Sequence, residues 1–474
     1  MFHHCDLCGL TALPCLSMAK VHLIMPVLPQ LMGAPYLGQQ LVAASLVRAG
    51  HNVRVTDLAS PYAPSEAELQ DELHDWRPDI VGMTLFTWSA ARGYALAQRL
   101  RNHPKHHGLL VAGGPHPTVR PGEPLHHGFD RSLAGEGELA LVALADAIDA
   151  GNPPDRLQPA ETIDDLDALA YPAVSYGLYD WSWYLPGGGA VIPGGIMSSR
   201  GCPARCTFCA NYVTGRTYRF RSAESVVAEM VDLREHHGVN HFPFWDDAFT
   251  ALRPRLYDLC DAMSAHPGLS GVTWSCITPG NMVKPRDLDK MRGAGCIAIN
   301  FGLESGDYNI LRVIQKGQRP EHVKAAVAAA KNAGMQTIVN FMFGFPEEGV
   351  PELLRTRELM EELSSSTDYF NHRGVLVPFP GTSIYDQHHK AFGLDEWWLD
   401  ETRVPVEPNP MTMGEDERRL WLETDPTLEQ DFFHYSDAIR DTISDCVRYK
   451  AQHNERTIAA LMSSLQSGTP IGEH

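Results

Sequence analysis

At 474 residues, 44% hydrophobic and 20% charged, the chain exceeds what one ordinary core holds, and two or three globular domains are expected. A formal charge of −19 argues against non-specific nucleic-acid binding, which needs a positive surface. No apolar run approaches the ~18 residues of a membrane span, so a soluble chain is expected. Ten cysteines, three of them tightly clustered, suit a reducing cytoplasm better than a disulfide framework.

In chain order, residues 1–19 lack the basic start and clean apolar stretch of a signal peptide and read as a disordered leader. Within it, Met18 is an alternative start, and Cys5 and Cys8 beside His3 and His4 are a zinc-binding candidate. From Lys20 strands alternate with helices. VHLIMPV (21–27), NVRVTD (52–57), DIVGMTLF (79–86), GLLVAGG (108–114) and a fifth segment near 129–134 read as strands. Between them lie an amphipathic helix at 37–50 ended by Gly50, a polar helix at 65–75, a helix through Arg101 and one beginning at Glu136. This pattern predicts an α/β fold whose first domain, 20–150, is a doubly wound parallel sheet. Ligands would bind at the carboxyl ends of its strands.

Residues 151–194, rich in Pro, Gly and acidic side chains, read as a linker. A second βα series follows over 195–380. Strands are expected at 195–199, 241–245, 272–277, 297–303, 337–344 and 369–377, with helices at 222–237, 252–265, 286–294, 320–333 and 350–364. Six βα units imply a partial (β/α)6 TIM-like barrel. Residues 381–474, with aromatic pairs Trp397-Trp398 and Phe432-Phe433, read as a small, mainly helical cap and the substrate-contacting region.

Directly after the first barrel strand, Cys202, Cys206 and Cys209 stand in the order C-x3-C-x2-C. Three thiols are too few for a closed zinc site and odd for disulfides. They suit a four-iron four-sulfur cluster with one iron left for an external ligand. With Phe208 just before the third cysteine, this loop, FWDDAFT (244–250), FGLESG (301–306), MFGFPEE (342–348) and PFPGT (378–382) resemble the radical S-adenosylmethionine superfamily. The resemblance implies that Glu304 bonds the ribose hydroxyls of S-adenosylmethionine, Asp246 lies near its amino group, Phe208 lines the adenine site and Ser305 belongs to the same pocket. A carboxylate is a good acceptor for a diol and a good partner for an ammonium.

The first domain has no G-x-G-x-x-G loop, so a dinucleotide is not expected. GGPHPT (113–118), AGEGE (134–138) and LDALAYPA (166–173) instead resemble the cobalamin-binding domain fused to one branch of that superfamily. By this resemblance Gln30, Thr84, Trp88, Gly113, Gly114, His116 and Glu136 are the cobalamin-site candidates. Where many cobalamin domains carry D-x-H-x-x-G, this chain has Leu28-Pro29-Gln30-Leu31-Met32-Gly33, so the lower cobalt face lacks its imidazole. Trp88 is a candidate shield for that face, with a packing role favoured, and His116 is favoured as a loop hydrogen-bonding residue over a cobalt ligand.

Cys260, Cys276, Cys296 and Cys446 lie in apolar contexts as core residues. His372 and Arg319 lie within reach of the barrel mouth without an assigned role.

The implied function is a cobalamin-dependent radical methyltransferase acting on an unactivated carbon, or phosphorus, of a small metabolite. A low-potential flavodoxin or ferredoxin would serve as electron donor. A radical enzyme using both cofactors for cyclisation, ring rearrangement or oxidation is the alternative. A cobalamin sensor or carrier with an inactive barrel is the reading from another class.

Overall fold

The computed structural model describes residues 18–27, 35–60, 63–104, 108–152, 156–181, 195–371, 374–403 and 415–467. Gln30, His372 and the cysteines of the leader lie outside them.

The first sheet contains β1 (Lys20–Met25), β2 (Asn52–Asp57), β3 (Ile80–Thr84), β4 (Leu109–Gly113), β5 (Arg131–Gly135) and β6 (Leu157–Glu161). All pair in parallel in the order β2-β1-β3-β4-β5-β6. Burial on both faces explains the continuous apolar strands. Val21, Leu23 and Leu133 pack with Ala43 and Leu46 of helix Leu37–Arg48 and with Leu141 and Leu144 of helix Gly137–Asp149. Ile24, Val81 and Met83 pack on the other face against Leu69, Tyr94 and Ala97. β6 was read as linker: its few side chains gave no strand alternation, and only pairing with β5 reveals it.

In the barrel half, β7 (Ser199–Arg200) pairs antiparallel with β8 (Arg219–Phe220), pinning both ends of the cysteine loop. β9 (His241–Pro243), β10 (Thr273–Pro279), β11 (Cys296–Glu304), β12 (Gln336–Phe341) and β13 (Tyr369–Phe370) form a parallel sheet in the order β13-β12-β11-β10-β9. The expected first and sixth strands are reduced: Ile196 makes a single parallel bridge to Phe244, and Val375 one to Phe343. Phe242, Phe244, Trp274, Phe301 and Phe341 fill the layer between strands and helices, each at most 1% exposed.

The tail aromatics are packed against the body of the chain. Trp397, Trp398, Phe432 and Phe433 are buried. Trp397 donates to the Pro378 carbonyl at 3.0 Å, and Trp398 donates to Glu123 of the first domain at 2.8 Å. The long helix Asp437–Ser467 lies along helix Val350–Leu363 and β13.

Candidate active site

The two halves share one cavity of about 310 Å³. The first sheet contributes Thr84, Gly113, Gly114, Gly135 and Glu136, at the strand carboxyl ends that a doubly wound fold reserves for ligands. The barrel half contributes Met197, Arg200, Ala210, Asn211, Val213, Thr214 and Asp247, so the cysteine loop forms one wall and the cobalamin-type domain the other.

Gly113 fits a ligand cradle: a Cβ built there meets nothing within 4 Å and projects into open space. Gly114 differs. Its φ of +101° suits glycine alone, and a Cβ would meet Thr84 at 3.0 Å and the Leu85 carbonyl oxygen at 3.1 Å. Gly113→Leu is therefore expected to fold normally while losing corrinoid binding, whereas Gly114→Ala should cost about 1–3 kcal/mol of stability. Thermal melts and a spectroscopic cobalamin titration separate the two.

Glu136 lines the cavity, but its carboxylate is already engaged. It accepts from Arg200 at 2.9 Å, from Arg219 at 2.8 and 3.0 Å and from the Ile163 amide at 2.6 Å. Arg200 also bonds the buried Glu138. Burial alone would raise the Glu136 pKa; the Arg219 hydrogen bond and the Arg200 charge outweigh it and hold the carboxyl below its ordinary range. The GEGE segment thus clamps the first domain to the residue two positions ahead of Cys202, a role its charge pattern did not disclose.

Other expected residues are placed differently. His116 is fully buried, with Nδ1 on Thr87 at 3.2 Å and Nε2 on Glu123 at 3.1 Å. Both ring nitrogens are engaged within the protein, and the ring does not line the cavity. Trp88 stacks on Phe86 with ring centroids 5.2 Å apart and packs with Met25, Val27 and Ala59; it does not itself line the cavity.

Asp246 is 1% exposed and accepts from the Ser198 amide at 2.7 Å and the Ser199 hydroxyl at 2.8 Å, with Arg255 at 3.6 Å. Its oxygens hold the strand that leads into the cysteine loop. Its neighbour Asp247 lines the cavity and accepts from Thr214 at 2.9 Å. Ser305, also fully buried, turns to Thr356 at 3.2 Å and accepts from the Asp307 amide, shaping the turn after β11 rather than a pocket.

Glu304 ends β11 at a register irregularity with φ +75°, a left-handed conformation that costs a non-glycine residue about 1–3 kcal/mol. Its Oε1 accepts from buried Lys316 at 2.6 Å, and among the described residues no donor reaches its other oxygen. Lys316 Nζ stands 5.7 Å from the centre of the Phe208 ring, whose other neighbour is Phe345 at 5.9 Å. Burial alone would lower the Lys316 pKa; Glu304 and then Cys206 reverse this and raise it. The Glu304–Lys316 pair therefore stands beside the cysteine loop.

The three thiols grade from buried Cys202 through partly buried Cys206 to exposed Cys209. Among the described residues no three Cys, His, Asp or Glu converge on one ion. A four-iron cluster makes a different demand, one thiolate per iron. Although Cys209 reaches the surface, the protein packed around its thiol desolvates it; that first, and the neighbouring Cys206 second, push it to about 11, so loading a cluster must release protons. The donor set, the Glu304 acceptor and the Gly113 cradle fit the cluster, S-adenosylmethionine and the corrinoid, respectively.

Comparison with known proteins agrees. The radical SAM superfamily model matches residues 196–360, and the B12 binding domain model matches residues 34–145. The first implies a four-iron cluster and S-adenosylmethionine, and the second implies cobalamin. An uncharacterized methyltransferase of Pyrococcus horikoshii is 30% identical over 362 residues, covering 72% of this chain and 76% of the relative. An anaerobic magnesium-protoporphyrin IX monomethyl ester cyclase of Cereibacter sphaeroides is 29% identical over 405 residues, covering 79% and 64%. The radical S-adenosylmethionine methyltransferase TsrM of Kitasatospora setae, solved with cobalamin and a [4Fe-4S] cluster, shares the fold. Its TM-score is 0.63 at 19% identity, over 89% of this chain and 83% of that one. The chain is an enzyme of the radical S-adenosylmethionine superfamily and belongs to its branch with a fused cobalamin-binding domain.

Proposed function

We propose that this enzyme is a cobalamin-dependent methyltransferase that methylates an unactivated carbon, or phosphorus, of a small metabolite. The observation that carries the reading is the shared cavity: the loop with Ala210, Asn211 and Thr214 faces Thr84, Gly113 and Gly114 across one space. Methyl transfer needs a radical source and a methyl carrier to address the same substrate atom. When bound, the cluster with S-adenosylmethionine supplies a carbon radical by one-electron cleavage of the sulfonium, and the corrinoid supplies a carrier for the methyl group.

The chain's own residues bind and orient. Cys202, Cys206 and Cys209 hold the cluster. Glu304 accepts from a diol with its free oxygen, Asp247 faces the ammonium, and Phe208 offers a ring face to the adenine. Gly113 lets the corrinoid approach backbone, with Gly114 setting the turn and Thr84 beside them. The Glu136–Arg200–Glu138 clamp holds the two walls in register. A low-potential flavodoxin or ferredoxin would reach the exposed Cys209 side of the loop, where Arg205 and Arg216 are exposed and favour an acidic donor. Among the described residues no helix is long and apolar enough to cross a membrane, which accords with a cytoplasmic setting.

The test is anaerobic turnover with cobalamin, S-adenosylmethionine and a low-potential reductant. Accumulation of both 5′-deoxyadenosine and S-adenosylhomocysteine is expected. Deoxyadenosine alone would move the chain to the non-methylating reading that its cyclase relative represents.

A further inference from the structure

We infer that this enzyme selects an uncharged substrate with an apolar body, whose hydrogen-bonding group is recognised by Asn300 and Asn340; the inference rests on the reaction site proposed above. The barrel strands alternate in burial. Trp274, Cys276, Ile299, Phe301, Val339 and Phe341 are at most 3% exposed and belong to the core shared with the helices. The residues between them, Asn300 and Asn340 included, are only half-buried. A barrel filled by its own side chains buries its inner face as well, so here that face borders open space. Parallel pairing sets Asn300 between Ile277 and Ile338, and Asn340 beside Gly302. The two amides are therefore diagonal neighbours on adjacent strands, about 8 Å apart at Cα by strand geometry. The Oδ1 atom of each is buried and has no hydrogen-bond partner among the described residues. A buried acceptor left unused is costly, so each oxygen calls for a donor that the chain does not supply.

The surroundings select what carries that donor. A Cβ on Gly302 would meet Glu304 Oε1 at 2.8 Å and Lys316 Nζ at 2.9 Å, so the Glu304–Lys316 pair covers the same face one layer nearer the strand ends. Phe244, just after β9, turns into the core against Phe249 and Trp274. Trp245 follows it, turns the other way as a strand alternates, and is 55% exposed. Two residues on, Asp247 lines the interface cavity. An open indole and two isoleucines suit a flat apolar body. Charge is disfavoured: β9 to β12 contain no Lys or Arg, and Lys316 is held by Glu304. A substrate carboxylate or phosphate would be buried without a counter-ion, which is strongly unfavourable. The nearby carboxylates, Glu304 and Asp247, are assigned above to S-adenosylmethionine, which leaves none for a substrate cation. The complement of two amide oxygens is a neutral donor, an amide or a hydroxyl.

The test uses the cluster-reconstituted chain with S-adenosylmethionine and three probes that share one body: 1-naphthaleneacetamide, 1-naphthaleneacetate and 1-methylnaphthalene. Equilibrium dialysis reads their affinities. The amide is expected to bind at least about tenfold more tightly than the carboxylate. Asn300→Leu and Asn340→Leu should each lose about tenfold in amide affinity and leave 1-methylnaphthalene unchanged. Trp245→Ala should weaken all three probes alike. Asn300→Ala and Asn340→Ala should reproduce the selective loss if the leucine variants misfold. Equal or tighter binding of the carboxylate would overturn the inference, as would absent amide binding or an amide affinity that neither asparagine affects. Binding needs no turnover, so the two readings fail separately. If the amide discriminates as expected while turnover yields 5′-deoxyadenosine without S-adenosylhomocysteine, methyl transfer is overturned and the substrate class stands.

Discussion

Replacing Arg200 with methionine is expected to cost about 3–5 kcal/mol, because it strands Glu138 as an uncompensated buried charge. Arg200 and Glu138 are 5% and 4% exposed, and among the described residues Glu138 has no other ion-pair partner. Glu136 would keep Arg219. The double change Arg200→Met/Glu138→Gln should recover much of the loss, since replacing both partners removes the unpaired charge. Chemical denaturation measures the stability, and iron per chain after reconstitution reports whether the cysteine loop keeps its place.

The same clamp gives a pH dependence. Because the Glu136 pKa is depressed in the folded chain, its contribution is present above the ordinary carboxylate range and is lost as pH falls through the depressed value. Acidification should therefore destabilise the native chain more than a Glu136→Gln variant. Parallel slopes below pH 5 would remove the clamp from the account.

Changing Cys202, Cys206 and Cys209 together to alanine is expected to abolish cluster iron and bring 5′-deoxyadenosine to the level of an enzyme-free blank. The apo fold should survive: Cys206 and Cys209 are outside the core, and Cys202, at 9%, sits at its edge. Cys276→Ala provides the opposite control. Cys260, Cys276 and Cys296 are 0–3% exposed in the layer between strands and helices, where Cys behaves as a small hydrophobe. That substitution should lower the melting temperature and leave cluster iron unchanged. Iron analysis beside thermal melts reads both outcomes. Retained iron in the triple variant would dissociate the loop from the cluster.

The architecture was legible because it repeats: apolar strands spaced by amphipathic helices leave a periodic trace, and the C-x3-C-x2-C spacing is chemically specific. Individual contacts were less legible, because local sequence does not say which way a side chain turns. Asp246 and Asp247 are adjacent and identical, yet one ties down Ser198 and Ser199 while the other lines the cavity. The glycines at 113 and 114 look alike in sequence and differ in φ and in the space around them. Glu136 is a cobalamin-site candidate in the sequence because AGEGE resembles that domain's pattern, and it does line the cavity. Its partners Arg200 and Arg219 are 64 and 83 residues away, a separation no local pattern spans. Lys316 was missed for a related reason: a lysine after a helix is ordinary until burial and pairing are known.

The most direct test of the central claim uses S-adenosylmethionine with a trideuterated methyl group, cobalamin and a low-potential reductant in an anaerobic single-turnover mixture. The mass of the recovered corrinoid is then read. The account predicts that the labelled methyl group appears on the corrinoid and that the Gly113→Leu chain fails to place it there. An unlabelled corrinoid accompanied by accumulating 5′-deoxyadenosine would contradict methyl transfer, leaving a radical enzyme of the other kind.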